Sequence, residues 1–254
     1  MPFEPRFGEA AAAYSTFRPD YPQELYDRIL EDVPPANRNR AMDLGAGTGL
    51  STLPLCRWFA EVIAVEPDPK MAAKLDGLHR NIVVRITTAE ECAQEPESVD
   101  LVVSGTAFYW MDGPRILAKI HSWLRPQGVL AVYRYRFPRT PAAVRAILRE
   151  EFALHWDRFR HDRLRDEDYS RRTVASAPGF GRLRVVTMRR TLDYRPLQLA
   201  GFCASTSYAS AFMKTLADPD AYLKELEIRF QQASSNDIIP VAFELELILA
   251  CKLL

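Results

Sequence analysis

The chain has 254 residues, 48% of them hydrophobic and 26% charged, and its 33 Lys+Arg balance its 33 Asp+Glu to a formal net charge of zero. That length suits one substantial core, so the expectation is a single domain over 1–254 with a helical cap inserted at 138–181. A neutral chain exerts no global attraction on a polyanion, and no nucleic-acid partner is expected. Cys56, Cys92, Cys203 and Cys251 form no C-x-x-C pair, which speaks against a disulfide framework or a zinc site. No apolar run approaches the roughly 18 residues of a membrane span, and the start lacks a basic segment followed by an apolar one. A cytoplasmic protein without a membrane partner is expected.

In chain order, Pro22 to Val33 places Leu25, Ile29, Leu30 and Val33 at helical spacing, with Pro22 suited to a first turn. Strands follow at Arg40 to Gly45, Glu61 to Glu66, Ile82 to Thr87, Asp100 to Gly105 and Gly128 to Phe137. Helical segments separate them near Leu50 to Phe59, Pro69 to Leu78 and Pro114 to Leu124. Continuous apolar runs such as Leu101-Val102-Val103 suit strands covered on both faces, and the strand–helix alternation predicts a parallel sheet with right-handed crossovers. Two helical stretches, Pro141 to Phe159 and Asp166 to Ala175, interrupt the sheet and are assigned to the cap. A strand at Leu183 to Tyr194, helices near Pro196 to Met213 and Pro219 to Gln232, and a strand at Pro240 to Leu253 complete the chain.

The most specific segment is Ala41-Met42-Asp43-Leu44-Gly45-Ala46-Gly47-Thr48-Gly49-Leu50. It reads as a buried strand breaking into a glycine turn and then a helix. Glycines at 45, 47 and 49 leave no Cβ between backbone and ligand and tolerate the positive φ of a sharp turn. The dinucleotide fingerprint G-x-G-x-x-G needs glycine at 50, where this chain has Leu50, so a pyrophosphate reader is disfavoured. The next strand ends at Glu66, whose carboxylate suits a pair of ribose hydroxyls.

These motifs resemble the class I S-adenosylmethionine (SAM) methyltransferases, whose first motif is similar to D-L-G-x-G-x-G and whose second strand ends in an acid. Thr88-Ala89-Glu90 resembles that family's adenine-edge segment, and Ser98 to Asp112 resembles its fourth strand, with Tyr109 where histidine is frequent. Tyr14-Ser15-Thr16-Phe17-Arg18-Pro19-Asp20-Tyr21-Pro22 resembles the opening of the small-molecule branch that includes trans-aconitate methyltransferases. The resemblance covers Phe7 to about Phe137.

It implies a Rossmann-like, seven-stranded, mostly parallel sheet with helices on both faces, the last two strands forming an antiparallel edge hairpin. It implies SAM as cofactor, with S-adenosylhomocysteine (SAH) as product. By carry-over, Gly45, Gly47 and Gly49 line the methionyl part, Glu66 the ribose, Ala89 and Glu90 the adenine, and Gly105, Thr106 and Phe108 the sulfonium side, with Ala46, Pro67 and Met71 also in the cofactor set. Tyr14 and Arg18 join the cofactor set, Arg18 as a guanidinium partner for the methionyl carboxylate; a surface arginine beside a turn is the other reading.

Tyr21, Tyr109 and Trp110 are candidate substrate contacts through their aromatic faces, with core packing as the alternative. His155 and Trp156 are further candidates in the cap. The histidines and acids around 155–162 match no metal signature, and no metal is expected. Between Arg134 and Arg190 the chain carries fifteen arginines, no lysine and seven acids. Solvated faces explain this, with an anionic small substrate or RNA as the alternatives.

The first expectation is methyl transfer to a small molecule, on a carboxylate or hydroxyl oxygen, where alignment rather than a dedicated base does most of the work. N- or C-methylation, RNA methylation and a non-catalytic SAM-binding protein stay open. No general base and no oligomeric state follow from the sequence.

Overall fold

The structure is a computed structural model and describes residues 16–253. It contains one seven-stranded sheet of order β3-β2-β1-β4-β5-β7-β6. Strands β1 (Arg40–Leu44), β2 (Glu61–Val65), β3 (Ile82–Arg85), β4 (Val99–Gly105) and β5 (Leu124–Tyr135) pair in parallel: β1 with β2 and β4, β2 with β3, and β4 with β5. Reciprocal hydrogen bonds between Arg139 and Ala242 mark the antiparallel edge, which β7 (Ile239–Lys252) and β6 (Phe180–Tyr194) complete. This is the Rossmann-like arrangement the sequence predicts. The order reverses direction between β1 and β4, and in open α/β sheets ligands bind beyond the carboxyl ends of the strands at such a switch point.

The chain forms two compact units. One comprises Asp20–Arg134, Asp166–Met188 and Leu245–Leu254. Its core is built from aliphatic side chains of the central strands, among them Met42, Leu44, Ile63, Val65, Val102 and Leu130, packed with Ile116, Leu117, Ile120 and Trp123 of one amphipathic helix. Burying such side chains stabilises by about 1.5–3 kcal/mol each, which holds the strand ends rigid beneath the loops they carry.

In this unit helix α1 is Gln23–Leu30, α2 Thr52–Leu55, α3 Pro69–Ala72 and α4 Gly113–Trp123. The helix expected over 50–59 is only one turn long. Pro54 brings no backbone N–H, and Cys56, Arg57 and Trp58 donate three residues back, so the segment continues as tight turns. The helix expected over 69–78 stops early in the same way, and Gly77 at φ 71° follows it. Asp68 and Asp112 cap α3 and α4 by accepting from the Lys70 and Arg115 N–H groups at 2.9 and 3.3 Å.

The other unit includes Tyr135–Arg165 and Arg189–Glu244 together with the described residues up to Pro19. Helix α5 (Ala142–Glu151) runs into a π-helical turn, Phe152–Trp156. Helices α8 (Pro196–Ala204), α9 (Ser207–Met213) and α10 (Pro219–Gln232) share an aromatic core with it. The segment 138–181 divides at Arg165: α6 (Asp162–Arg165) lies in this unit, and α7 (Tyr169–Ala175) belongs to the sheet-bearing one. No helix among the described residues is long and apolar enough to cross a membrane.

Candidate cofactor site

Strand β1 ends at Leu44, and the chain then turns through three glycines in the left-handed region, Gly45 at φ 73°, Gly47 at 58° and Gly49 at 94°. At Gly45 the need is double, because an added Cβ would strike the Ala107 Cβ and come within 3.6 Å of Met111 Cε. The turn after β4 therefore packs directly on the turn after β1. Gly47 has more space, with Met71 Cε 3.6 Å from where its Cβ would stand.

The tip of β2 reaches the same turn. Glu66 Oε2 accepts from the Gly47 N–H at 2.8 Å, and Oε1 accepts from the Asp68 N–H at 2.9 Å. Glu66 is buried, and desolvation raises its carboxyl pKa, while the two N–H donors pull it back down. An ionised carboxylate has about four acceptor positions, so two backbone donors leave capacity for ligand hydroxyls.

Sequence reasoning quoted Asp43 within the motif and gave it no role. It is fully buried, its Oδ2 accepts from the Thr52 hydroxyl at 2.7 Å, and burial pushes its carboxyl up to about 7. Ser51 and Tyr133 were missed altogether. Their hydroxyls share a short hydrogen bond, and the Tyr133 phenol, buried near Tyr26 and Asp43, is held well above its ordinary pKa. These partners are 82 residues apart, and no local pattern announces them.

Gly105 carries the end of β4 into this cluster: a Cβ there would meet the Tyr133 ring at 2.8 Å, the Tyr21 hydroxyl at 2.9 Å and Ser51 Oγ at 3.3 Å. Thr106, next in the chain, takes φ 56°, a conformation costing about 1–3 kcal/mol for a residue with a Cβ. Its hydroxyl lies 2.9 Å from that of Tyr21, and its N–H donates to the Tyr133 carbonyl at 2.7 Å.

The remaining residues expected here fall into distinct environments. Ala46, Met71 and Ala89 are buried, and Pro67 is exposed. Glu90 has its Oε1 engaged by the Asp112 N–H at 2.8 Å, a contact that ties the segment after β3 to the start of α4. Phe108 is 1% exposed and belongs to the core. Tyr109 and Trp110 lie with ring centroids 5.2 Å apart.

Arg18, His155 and Trp156 belong to the other unit, and Tyr14 lies outside the described residues. Arg18 donates to the Ser205 carbonyl at 3.1 Å, its guanidinium 5.2 Å from the Phe202 ring centre. Trp156 is fully buried, its Nε1–H donating to the Tyr222 hydroxyl at 3.0 Å, which makes it a core residue of that unit. The His155 ring stacks on Phe212 at 4.7 Å. Among the described residues no group of three or more His, Cys, Asp and Glu is placed to hold a metal ion.

A nucleoside carrying a flexible tail fits what is present. Thr48 places a buried hydroxyl without a hydrogen-bond partner within the glycine turn, and Glu66 offers acceptor capacity beside it.

Comparison with known proteins agrees with this geometry. Residues 42–132, from the middle of β1 into β5, match the family Methyltransf_11, a methyltransferase domain. This stretch of the chain is a methyltransferase domain. The chain is 39% identical over 126 residues to an uncharacterized methyltransferase of Mycobacterium tuberculosis, covering 50% of each chain. It is 30% identical over 135 residues to a Saccharomyces cerevisiae protein whose name places it among S-adenosylmethionine-dependent methyltransferases, covering 50% of this chain and 46% of that one. The chain thus spans about half the length of the curated relatives it matches. A solved structure from Anaeromyxobacter dehalogenans, named as a type II methyltransferase, shares the fold at a TM-score of 0.72 and 24% identity, over 93% of this chain and 98% of that one.

Proposed function

We propose that this protein transfers the methyl group of SAM to a small-molecule acceptor, first of all to a carboxylate or hydroxyl oxygen. The observation that carries the reading is the Gly47–Glu66 hydrogen bond, which joins a side-chain-free turn and an acidic strand tip into one cradle. Bound SAM supplies an electrophilic methyl on a sulfonium. In this reading Gly45, Ala46, Gly47, Gly49, Thr48 and Thr106 hold its amino-acid part and sulfonium end, Glu66, Pro67 and Met71 its ribose side, and Ala89 and Glu90 its adenine.

The chain's own contribution is alignment and exclusion of water. Rigid strand ends fix the turn, and Phe108 and Met111 close its inner side with apolar surface. Holding two reactants in line supplies on the order of 7–11 kcal/mol of a barrier, so an acceptor that is already an anion needs no dedicated base. Tyr109 and Trp110 are assigned to the acceptor side.

The small-molecule class is supported by the Tyr14 to Pro22 opening and by the neutral net charge. A cytoplasmic setting is supported by four unpaired, buried cysteines. The test is incubation with isotopically labelled SAM and pools of organic acids, phenols, amines and RNA. Label in an acid or phenol is expected; label confined to amines or carbon acids replaces the oxygen assignment, and label confined to RNA overturns the small-molecule class.

A further inference from the structure

The sequence alone points to Tyr21 as an aromatic face for a substrate, yet its surroundings give it a different task. Its hydroxyl meets Thr106 Oγ1 at 2.9 Å and stands 2.9 Å from where a Gly105 Cβ would be. Its ring packs edge-on against Tyr133 with centroids 4.9 Å apart. Tyr133 in turn accepts the Thr106 N–H through its carbonyl at 2.7 Å and shares a hydrogen bond with Ser51 through its phenol. Thr106 is thus gripped at both its backbone and its side chain.

The grip has a conformational reason. Thr106 sits at φ 56°, where a β-branched residue is an outlier unless its surroundings impose the shape. The residue after it, Ala107, is the one whose Cβ occupies the space that only glycine at position 45 leaves free. The shape of Thr106 therefore sets how the end of β4 seats on the glycine turn.

We propose that Tyr21 is a positioning residue of the cofactor site: its hydroxyl holds Thr106 in the left-handed conformation that seats Ala107 on Gly45. Without that bond the Thr106 backbone relaxes toward negative φ, Ala107 withdraws, and the cradle loses its shape. The inference rests on the proposed SAM site and assigns Tyr21 to cofactor geometry instead of substrate contact.

The experiment is a double-mutant cycle read by calorimetric titration of SAH into the full chain. Tyr21→Phe keeps the ring and removes one hydrogen bond, and is expected to weaken SAH binding by about three- to tenfold. Glycine adopts positive φ without being held, so Tyr21→Phe added to Thr106→Gly is expected to cost no further affinity beyond Thr106→Gly alone. If Tyr21→Phe fails to fold, Thr106→Gly is expected to restore folding, which reads the same coupling. Unchanged SAH affinity in a folded Tyr21→Phe protein, effects that simply add, or a double variant that stays unfolded each overturn the proposal. Wild-type protein that binds neither SAM nor SAH instead removes the site reading on which it stands.

Discussion

Gly47 and Glu66 are joined by one hydrogen bond, backbone N–H to Oε2 at 2.8 Å, across 19 residues of chain. The bond fixes the middle of the glycine turn to the tip of the neighbouring strand, so the turn and the strand tip move as one body. Glu66→Ala is expected to leave the Gly47 and Asp68 N–H groups without their acceptor, to destabilise the fold by about 1–3 kcal/mol, and to weaken SAM binding more than tenfold. Thermal melting and calorimetry on the same sample check both. Wild-type affinity in this variant would remove Glu66 from the site.

Glycine substitutions separate close approach from backbone strain. Gly77 has φ 71° and nothing within 4 Å of an added Cβ, whereas at Gly45 the same atom meets Ala107. Gly77→Ala is expected to cost about 1 kcal/mol of stability, and Gly45→Ala about 2–4 kcal/mol with loss of SAM binding. Denaturant titration compares them, and equal costs would mean that Ala107 yields freely.

Much of this was legible locally. The glycine turn at 45–49 and the acid after β2 are visible in the sequence because both depend on neighbours along the chain, and the five parallel strands are apolar runs whose ends fall within a few residues of expectation. Helices over 50–59 and 69–78 were read too long because periodicity persists through turns that Pro54 and Gly77 break. Trp156 was invisible as a core residue, since its burial comes from packing with Tyr208, Phe152 and Tyr222, which helical spacing alone does not reveal. The Tyr21–Thr106 bond spans 85 residues, and only the tertiary fold brings its ends together.

Asp43 gives a pH signature. Its pKa rises from the ordinary 3.8 to about 7 on burial, so between those values the folded protein keeps a proton that the unfolded chain has released. The stability this contributes is complete below about pH 3.8, declines as pH rises, and is gone above about pH 7. Asp43→Asn cannot ionise, and at pH 8 it is expected to melt about 3–6 °C above wild type, with a flatter profile between pH 4 and 7. Parallel melting profiles for the two proteins would show that Asp43 stays ionised in the fold.

In the other unit Glu151, 2% exposed, accepts from the Tyr222 hydroxyl and pairs with Arg229. The Tyr222 phenol also accepts from Trp156, and burial raises its pKa. Tyr222→Phe strands an acceptor and a donor and is expected to cost about 1–3 kcal/mol. SAM affinity at saturating fold is expected to be unchanged, as read by calorimetry below the melting transition; a tenfold loss would make this network part of cofactor binding.

The most direct test is titration of SAM and SAH into the wild-type protein, followed by a structure of the SAH complex. The expected result is one molecule per chain, its ribose hydroxyls on Glu66 and its amino-acid part along Gly45 to Gly49. A protein that binds neither compound, or a complex with SAH away from Glu66, contradicts the assignment.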